Sequence, residues 1–355
     1  MSLLLRILVF ASQNRFRLGL LISIAMVNSG CTPVMLTPGP TVAAARLTED
    51  SFIANDGVAL KISQWPAEHP KAIIIGLHGF NDYRRFFNAA ASYLQTQQIY
   101  CYAYDQRGFG ETQTPGLWAG SDAYTQDLTQ ITQLIQNKHP GVPLYLLGES
   151  MGGAVIIDAM SRAQQPQAAG IILSAPAVWG RATMPWYQTS LLWMLSHTLP
   201  WLSLTGKGLD IMPSDNIDML RALGRDPLVI KETRVDAIYG LTNLMDTALR
   251  DADKLHTQTL VLYGEKDQIV PREPTQQFVS GLLAQQSDNS TIAYYQNGYH
   301  MLLRDLQAPI IWRDIAHWVL NGGAGLPSGA DRNLSKLIKN ATTETDELQE
   351  THTTN

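Results

Sequence analysis

Cysteine and charge are both scarce in this sequence. The 355 residues include two cysteines, and charged side chains make up 16% of the total. Two cysteines cannot form a disulfide framework or a four-ligand zinc site, and a net charge of −5 leaves no excess of Lys and Arg for nucleic acid. Hydrophobic residues make up 45%, which is enough for a sizeable core. We therefore expect a folded protein without a metal, a cofactor or a nucleic-acid partner.

The apolar run near the N-terminus is short. It covers residues 18–27 and follows Arg15 and Arg17, whereas a helix that crosses a bilayer needs about 20 apolar residues. A basic flank, a short apolar run and small residues after it are typical of a secretory signal peptide. The sequence therefore predicts a signal peptide over residues 1–30, and hence export.

Gly30-Cys31 resembles the end of a bacterial lipobox, in which the cysteine is lipidated and becomes the mature N-terminus. Asn28 departs from that pattern, which usually has Leu at this position. The resemblance implies lipid attachment at Cys31 and a membrane-anchored lipoprotein of the bacterial cell envelope, facing the periplasm or the exterior. The alternative is an uncleaved anchor in which Cys31 is an ordinary thiol.

Short apolar runs rich in β-branched residues alternate with segments of helical spacing. Strands are predicted at residues 71–77, 99–104, 143–147, 170–174, 259–263 and 292–295. Helices are predicted at residues 83–96, 123–137, 153–162, 274–283 and 306–320. This alternation is typical of an α/β protein with a mostly parallel sheet flanked by helices. In such a sheet, functional residues are expected just after the carboxyl ends of the strands.

The alternation stops at an insertion rich in Trp, Tyr, Leu and Met, which is too long to be a loop. The sequence therefore divides into a signal peptide (1–30), an extended tether (31–50), a first part of the α/β core (51–177), a helical cap (178–255), a second part of the core (256–321) and a disordered polar tail (322–355).

One predicted strand leads directly into the sequence Gly148-Glu149-Ser150-Met151-Gly152, and a predicted helix follows. G-x-S-x-G between a strand and a helix is typical of a nucleophile elbow, a strained turn that exposes the serine hydroxyl. The glycines are needed because a side chain at either position would collide with the neighbouring strand or helix. Ser150 is the predicted nucleophile. The glycines lack the lysine of a phosphate-binding loop.

A serine hydroxyl needs a base to remove its proton. His300 follows a predicted strand and a turn, at the edge where Ser150 is expected, and Asp267 follows another strand. The order Ser150, Asp267, His300 is the order of the triad in α/β-hydrolases. Glu265 is the competitor for the role of the acid.

The oxyanion of a tetrahedral intermediate also needs hydrogen-bond donors. We expect the backbone N–H of Met151 to be one donor, and the N–H of Phe80, after an early strand, to be the second. His78 is expected to brace this loop rather than to act in catalysis.

Five motifs in this order resemble the monoacylglycerol lipase and lysophospholipase branch of the α/β-hydrolases. They are His78-Gly79-Phe80, the sequence DQRGFG at 105–110, GESMGG at 148–153, Gly264–Asp267 with Pro271, and Gly298-Tyr299-His300. The resemblance covers roughly residues 51–321. It implies the α/β-hydrolase fold with an eight-stranded sheet, a helical cap over the serine, and structural roles for Asp105 and Arg107.

The resemblance and the apolar cap predict a serine ester hydrolase acting on single-chain acyl esters, that is monoacylglycerol or lysophospholipid, at a membrane surface. An acyl-enzyme on the Ser-His-Asp triad is the expected intermediate. Two alternatives stay open: an acyltransferase or serine peptidase on the same triad, and a non-enzymatic envelope binding protein that retained the fold. The sequence makes no prediction about the oligomeric state.

Overall fold

A mostly parallel sheet forms the centre of the protein. The computed structural model describes residues 32–208, 210–284 and 289–338. The strands in chain order are β1 (Arg46–Leu47), β2 (Ser51–Ile53), β3 (Ala59–Trp65), β4 (Ala72–Leu77), β5 (Ile99–Tyr104), β6 (Leu144–Glu149), β7 (Gly170–Ser174), β8 (Ser203–Thr205), β9 (Glu232–Arg234), β10 (Thr259–Gly264) and β11 (Ser290–Tyr295). Within the described residues, nine of them form one sheet in the order β1-β2-β3-β5-β4-β6-β7-β10-β11. The pairs from β5 to β11 are parallel, and those among β1, β2, β3 and β5 are antiparallel.

Helices cover both faces of this sheet. They are α1 (Asn88–Thr96), α2 (Ser121–Lys138), α3 (Met151–Met160), α4 (Trp186–Thr198), α5 (Ile217–Arg225), α6 (Val235–Arg250), α7 (Arg272–Leu283) and α8 (Ala308–Leu320). Alternate side chains of β4 belong to two separate apolar clusters, with Ile73 and Ile75 in one and Ile74 in the other. The first cluster includes apolar residues of α2, α3, α6 and α7, and the second includes those of α1 and α8. A strand buried on both faces explains why β4 reads as a continuous apolar run.

The α/β class and the mostly parallel sheet flanked by helices are confirmed, but the sheet has nine strands among the described residues instead of eight. The additional strand is β1, which pairs with β2. The expectation of an extended tether over residues 31–50 does not hold for its described part. Met35 forms a β-bridge with Trp118, and the backbone N–H of Leu36 donates to the Trp118 carbonyl at 2.8 Å. This segment is rich in Pro and Thr and its sequence has no periodicity, but backbone hydrogen bonds still hold it against the α/β core.

The expectation of a disordered tail over residues 322–355 does not hold for residues 322–338. Leu326 and Leu337 are buried, and the 3₁₀ turn Ala330–Asn333 packs against β11. The Gln276 side chain donates to the Leu337 carbonyl at 2.5 Å. A few buried leucines therefore order a segment whose average composition is polar. Residues 339–355 lie outside the described part of the chain.

The insertion between β7 and β10 is not entirely helical. It contains α4, α5 and a two-stranded antiparallel ribbon of β8 and β9. Helix α6, which was expected in the cap, packs against α3 and contributes apolar residues to the first core cluster. The cap proper therefore ends before α6, near Arg234. Within the described residues, no helix has the length and apolar character needed to cross a bilayer.

Candidate active site

Ser150 lies in a sharp turn between β6 and α3. Its backbone has φ +52° and ψ −114°, a conformation that L-residues rarely adopt. A Cβ on Gly152 would lie 2.2 Å from the Leu77 carbonyl oxygen, and a Cβ on Gly148 would lie 2.4 Å from the carbonyl carbon of Gly152. Both glycines are therefore required for the close approach of α3 to β4 and β6, and this packing presents Ser150 at the carboxyl edge of the sheet.

His300 lies on the loop after β11, and its imidazole is held by Asp267 from the loop after β10. The His300 Nδ1 atom lies 2.8 Å from Asp267 Oδ2, and both side chains are buried. The other carboxylate oxygen accepts hydrogen bonds from the backbone N–H groups of Ile269, at 2.8 Å, and Val270, at 3.0 Å. Because a carboxylate can only accept, Nδ1 carries a proton, and in the neutral imidazole Nε2 therefore keeps its lone pair. This is the tautomer that a general base requires.

The electrostatic environment favours the protonated imidazole. Burial of His300 is the largest single effect and lowers its pKa, but the charge and hydrogen bond of Asp267 oppose it. The charge of Glu149 acts in the same direction as Asp267, and Arg304 acts against it. The net result is a pKa of His300 raised above its ordinary value.

Ser150 and His300 line the same cavity, which has a volume of about 330 Å³. Its wall is mainly apolar and is lined by Phe80, Ala177, Trp179, Pro213, Leu241, Met245, Ile269, Val270 and Met301. Asp267 lies behind His300 and does not line this cavity. An apolar cavity with a few polar groups beside a serine is typical of a site for a small ligand.

The two expected oxyanion donors belong to residues next to Ser150 in the chain or next to a residue that approaches it in space. Met151 is the first residue of α3, and Phe80 follows Gly79, where a Cβ would lie 3.3 Å from the Cβ of Ser150. Among the described residues, neither the Phe80 N–H nor the Met151 N–H donates to a protein acceptor. Both donors are thus available to a ligand at the serine.

His78 braces the loop that contains Phe80, as expected. Its Nδ1 lies 2.8 Å from the Gly79 carbonyl oxygen, and its Nε2 accepts from the Gln106 N–H at 3.0 Å. With both ring nitrogens occupied and the ring buried, His78 has no free atom with which to act as a base, and burial lowers its pKa.

Glu265, the competitor for the acid, is exposed and does not contact His300. Asp105 and Arg107 have structural partners. The Asp105 carboxylate accepts from the Arg84 backbone and side chain, and Arg107 bridges Asp56 and Asp127. Cys31 lies outside the described residues. No group of three or more His, Cys, Asp or Glu within the described part of the chain is arranged to hold a metal ion.

Sequence reasoning missed a buried ion cluster in the cavity wall. Arg304 Nη1 lies 2.7 Å from Asp82 Oδ2, and Arg304 Nη2 lies 2.5 Å from Glu149 Oε1. One signal was present in the sequence, because Glu149 is a charged residue at the end of an apolar strand. The other two members of the cluster, Asp82 and Arg304, lie far from Glu149 in the sequence. No sequence motif links the three residues.

The cap is attached to the loops on both sides of the cavity. The Ile230 N–H donates to the Asn81 carbonyl at 3.0 Å, and the Asn81 side chain donates to Thr233 Oγ1 at 2.7 Å. On the other side, the Met301 N–H donates to the Pro213 carbonyl at 3.0 Å. The cap is therefore fixed to the loop of Phe80 and to the loop of His300.

The outer side of the cap is strongly apolar and exposed. Trp186 is 79% exposed, Trp193 57% and Trp201 54%. Other exposed apolar residues of the cap are Tyr187, Leu191, Met194, Leu199, Leu202, Leu204, Ile211, Met212 and Ile217. So many large apolar side chains together on a surface mark an interaction site.

The sequence of the α/β core and cap matches a known protein family. The model of the Hydrolase_4 family, described as serine aminopeptidase, S33, matches residues 68–307, a stretch that contains Ser150, Asp267 and His300. The chain belongs to the Hydrolase_4 family.

Several lipases are similar to this Hydrolase_4 chain. Monoacylglycerol lipase of Mycolicibacterium smegmatis is 22% identical, over 77% of this chain and 97% of the lipase. Human monoglyceride lipase is 26% identical, over 74% of this chain and 88% of its own length. The structure of monoglyceride lipase from Saccharomyces cerevisiae with a substrate analog has a TM-score of 0.66 at 18% identity, over 81% of this chain and 99% of that one. The fold is that of the α/β-hydrolases, and the chain is an enzyme, a serine hydrolase similar to monoacylglycerol lipases.

Proposed function

We propose that this enzyme hydrolyses single-chain acyl esters, monoacylglycerol or lysophospholipid, with Ser150 as nucleophile, His300 as base and Asp267 as orienting acid. The observation that carries the proposal is the shared cavity of Ser150 and His300, with the imidazole oriented by Asp267. The similarity to monoacylglycerol lipases supports the choice of an ester as substrate.

Acylation begins when Ser150 Oγ attacks the ester carbonyl and His300 Nε2 accepts the hydroxyl proton. The negative oxygen of the tetrahedral intermediate accepts hydrogen bonds from the backbone N–H groups of Phe80 and Met151. Asp267 stabilises the imidazolium that forms on His300. Collapse of the intermediate breaks the ester C–O bond. The alcohol leaves with the proton from His300, and the acyl group remains on Ser150.

Deacylation repeats these steps with water. His300 removes a proton from the water molecule as it attacks the acyl carbonyl, and the same two N–H groups stabilise the second oxyanion. The proton then passes from His300 to Ser150 Oγ as the bond between serine and acyl group breaks. A fatty acid is released, and the enzyme returns to its initial state.

The chemistry of the cavity and of the cap supports an acyl chain as the substrate's main recognition element. Each CH₂ group moved from water into an apolar wall contributes about 0.8 kcal/mol. Leu241 and Met245 of α6, with Trp179, supply such a wall next to Ser150. The charged side chains of the cavity wall other than His300 are Asp82, Glu149 and Arg304, which form one ion cluster.

A series of p-nitrophenyl esters tests the substrate class. We expect kcat/KM to rise from the acetate to chains of intermediate length, because each added CH₂ that enters the apolar wall improves binding of the transition state. Monoacylglycerol and lysophospholipid, assayed by fatty-acid release, identify the headgroup. A maximum at acetate would contradict the acyl-chain proposal.

The same assay separates the alternatives. An acyltransferase would transfer the acyl group to an added alcohol in preference to water. A peptidase, which the description of the family model suggests, would cleave aminoacyl p-nitroanilides faster than esters. A non-enzymatic binding protein would cleave neither substrate.

We also propose that the apolar outer side of the cap meets the lipid surface that supplies the substrate. The double substitution Trp186→Ser and Trp193→Ser is expected to lower hydrolysis of monoacylglycerol in vesicles several-fold, because the apolar contact area is lost. Hydrolysis of soluble p-nitrophenyl butyrate should stay unchanged. Val42→Ser removes an apolar side chain that is 67% exposed but lies outside the cap, and it serves as the matched control. Equal losses on both substrates would contradict this role of the cap.

Export and anchoring are a further part of the proposal. We expect the mature protein to begin at a lipidated Cys31 and to be held at a membrane of the cell envelope. The mass of the intact mature protein tests this directly. Processing lowers it by the mass of residues 1–30, and lipidation raises it by the mass of the attached lipid. A mass that corresponds to the unprocessed chain would exclude processing at Cys31.

A further inference from the structure

The ion cluster of Arg304, Asp82 and Glu149 joins the three loops that carry the proposed chemistry. Asp82 lies two residues after the oxyanion donor Phe80, and Glu149 directly precedes Ser150. Arg304 lies four residues after His300. One guanidinium therefore connects the oxyanion loop, the nucleophile turn and the histidine loop through hydrogen bonds of 2.7 and 2.5 Å.

The cluster is costly to bury. The side chains of Arg304 and Asp82 are each 8% exposed, and that of Glu149 is 2% exposed. Burial raises the pKa of Glu149, and Arg304 opposes that rise. Among the described residues, Glu149 Oε2 and Arg304 Nε have no hydrogen-bond partner. Buried ion clusters of this kind are poor sources of stability, since desolvation offsets the attraction of the charges. Its position in the wall of the cavity that contains Ser150 and His300 distinguishes this cluster from the buried one at Arg107.

Glu149 and His300 line the same cavity, so the carboxylate and the imidazole of the proposed base border a common space. A Cβ on Gly79 would lie 3.8 Å from Glu149 Oε1, so the carboxylate lies against the oxyanion loop at the cavity. The charged groups that act on His300 come from three elements: Asp267 after β10, Glu149 at the end of β6, and Arg304 on its own loop. Asp267 and Glu149 both favour the imidazolium, and Arg304 disfavours it.

We propose that Arg304 and Glu149 are positioning residues for the Ser150–His300 reaction. The guanidinium of Arg304 holds the oxyanion loop and the nucleophile turn in fixed positions relative to His300. The carboxylate of Glu149, paired with Arg304, is a second negative charge that stabilises the imidazolium formed when Ser150 loses its proton. This inference rests on the proposed function.

The substitution Glu149→Gln tests the electrostatic part, because it keeps the shape and the hydrogen bond to Arg304 and removes the charge. Without that charge the imidazolium is less stable, so the pKa of His300 falls. The acid limb of kcat/KM should move to lower pH by about one unit. The plateau above the pKa should fall about tenfold, because the transition state also contains the imidazolium.

The two profiles should therefore converge at low pH and separate at high pH, with KM nearly unchanged. A merely structural role of Glu149 would lower the rate by one constant factor across the pH range. Parallel profiles, or a profile identical to that of the wild type, would overturn the electrostatic part of the proposal.

The substitution Arg304→Lys tests the positioning part. A lysine keeps the positive charge but lacks the fork that binds two carboxylates at once. Arg107→Lys is the matched control, since Arg107 also bridges two buried carboxylates, those of Asp56 and Asp127, away from Ser150. We expect both variants to lose thermal stability and only Arg304→Lys to lower kcat, by about tenfold.

Equal kcat for the two variants would overturn the positioning role. Should Arg304→Lys fail to fold, Asp82→Asn takes its place, because it weakens the contact of the same guanidinium with the oxyanion loop and should also lower kcat. Failure of the proposed function is recognised separately. In that case either the wild-type protein hydrolyses no ester, or a variant with Ser150 substituted still hydrolyses esters. Failure of the present inference alone leaves a wild-type esterase that depends on Ser150.

Discussion

The substitution Ser150→Ala is expected to lower ester hydrolysis by at least about 10⁴-fold, because the residual rate would come only from binding and the oxyanion donors. Labelling by a fluorophosphonate probe should disappear as well, since the probe reacts with the activated hydroxyl. The melting temperature should stay close to that of the wild type, because the backbone conformation at 150 is imposed by the packing of Gly148 and Gly152.

Ser161→Ala is the control for this experiment. Ser161 ends the same helix α3 at the opposite end, and its hydroxyl donates only to the Asp158 carbonyl, at 3.0 Å. Both hydrolysis and labelling should be retained in this control. A Ser150→Ala protein that still labels or still hydrolyses esters would exclude Ser150 as the nucleophile.

The substitution Gly152→Ala is expected to have the second large effect, on activity and on stability together. The new Cβ would lie 2.2 Å from the Leu77 carbonyl oxygen and 2.7 Å from the Leu77 carbonyl carbon. Since both atoms belong to the backbone of a central strand, α3 has to move away. We expect a loss of about 2–3 kcal/mol in the free energy of unfolding and at least about a 10²-fold fall in kcat, because Ser150 moves with the helix.

Gly224→Ala provides the matched control within the same chain. Gly224 lies in α5 with open space around the position of its Cβ. Alanine there should raise the free energy of unfolding by about 0.5 kcal/mol, through its better helix propensity, and leave kcat unchanged. Chemical denaturation and ester hydrolysis of both variants provide the comparison. A stable and fully active Gly152→Ala protein would show that the turn does not depend on this glycine.

The central strands could be predicted from the sequence because burial on both faces leaves no room for polar residues. Strands β5 and β7 have the predicted bounds, residues 99–104 and 170–174. The turn at Ser150 was equally visible, because backbone contacts at Gly148 and Gly152 leave no room for another residue type. The order of the strands in the sheet was not predicted from the sequence, and the family resemblance implied only their number, eight instead of the nine found among the described residues.

The edges of the fold could not be predicted in the same way. Strands β1 and β2 have two and three residues, too few for an alternating pattern to appear. The segment that contains Met35 and Leu36 is held by backbone hydrogen bonds, which do not depend on residue type. Leu326 and Leu337 pack in the body although the surrounding sequence is polar, and average composition conceals them.

The ion cluster at the site was unpredictable for another reason. Arg304 and Glu149 are separated by 155 positions, and no spacing rule links two charges at that distance. The sequence pointed to Ser150, Asp267 and His300 because each follows a strand that ends at one edge of the sheet. The charged residues of the cluster follow no comparable rule, and only the three-dimensional arrangement brings them together.

A crystal structure of the enzyme after reaction with a fluorophosphonate tests the central claim most directly, because the bound phosphonyl group mimics the tetrahedral intermediate. The account predicts phosphorus bonded to Ser150 Oγ, and the phosphonyl oxygen within about 3.1 Å of the backbone nitrogens of Phe80 and Met151. His300 Nε2 should lie within hydrogen-bond distance of the oxygens at phosphorus. An adduct on another residue, or an imidazole of His300 turned away from the adduct, would contradict it.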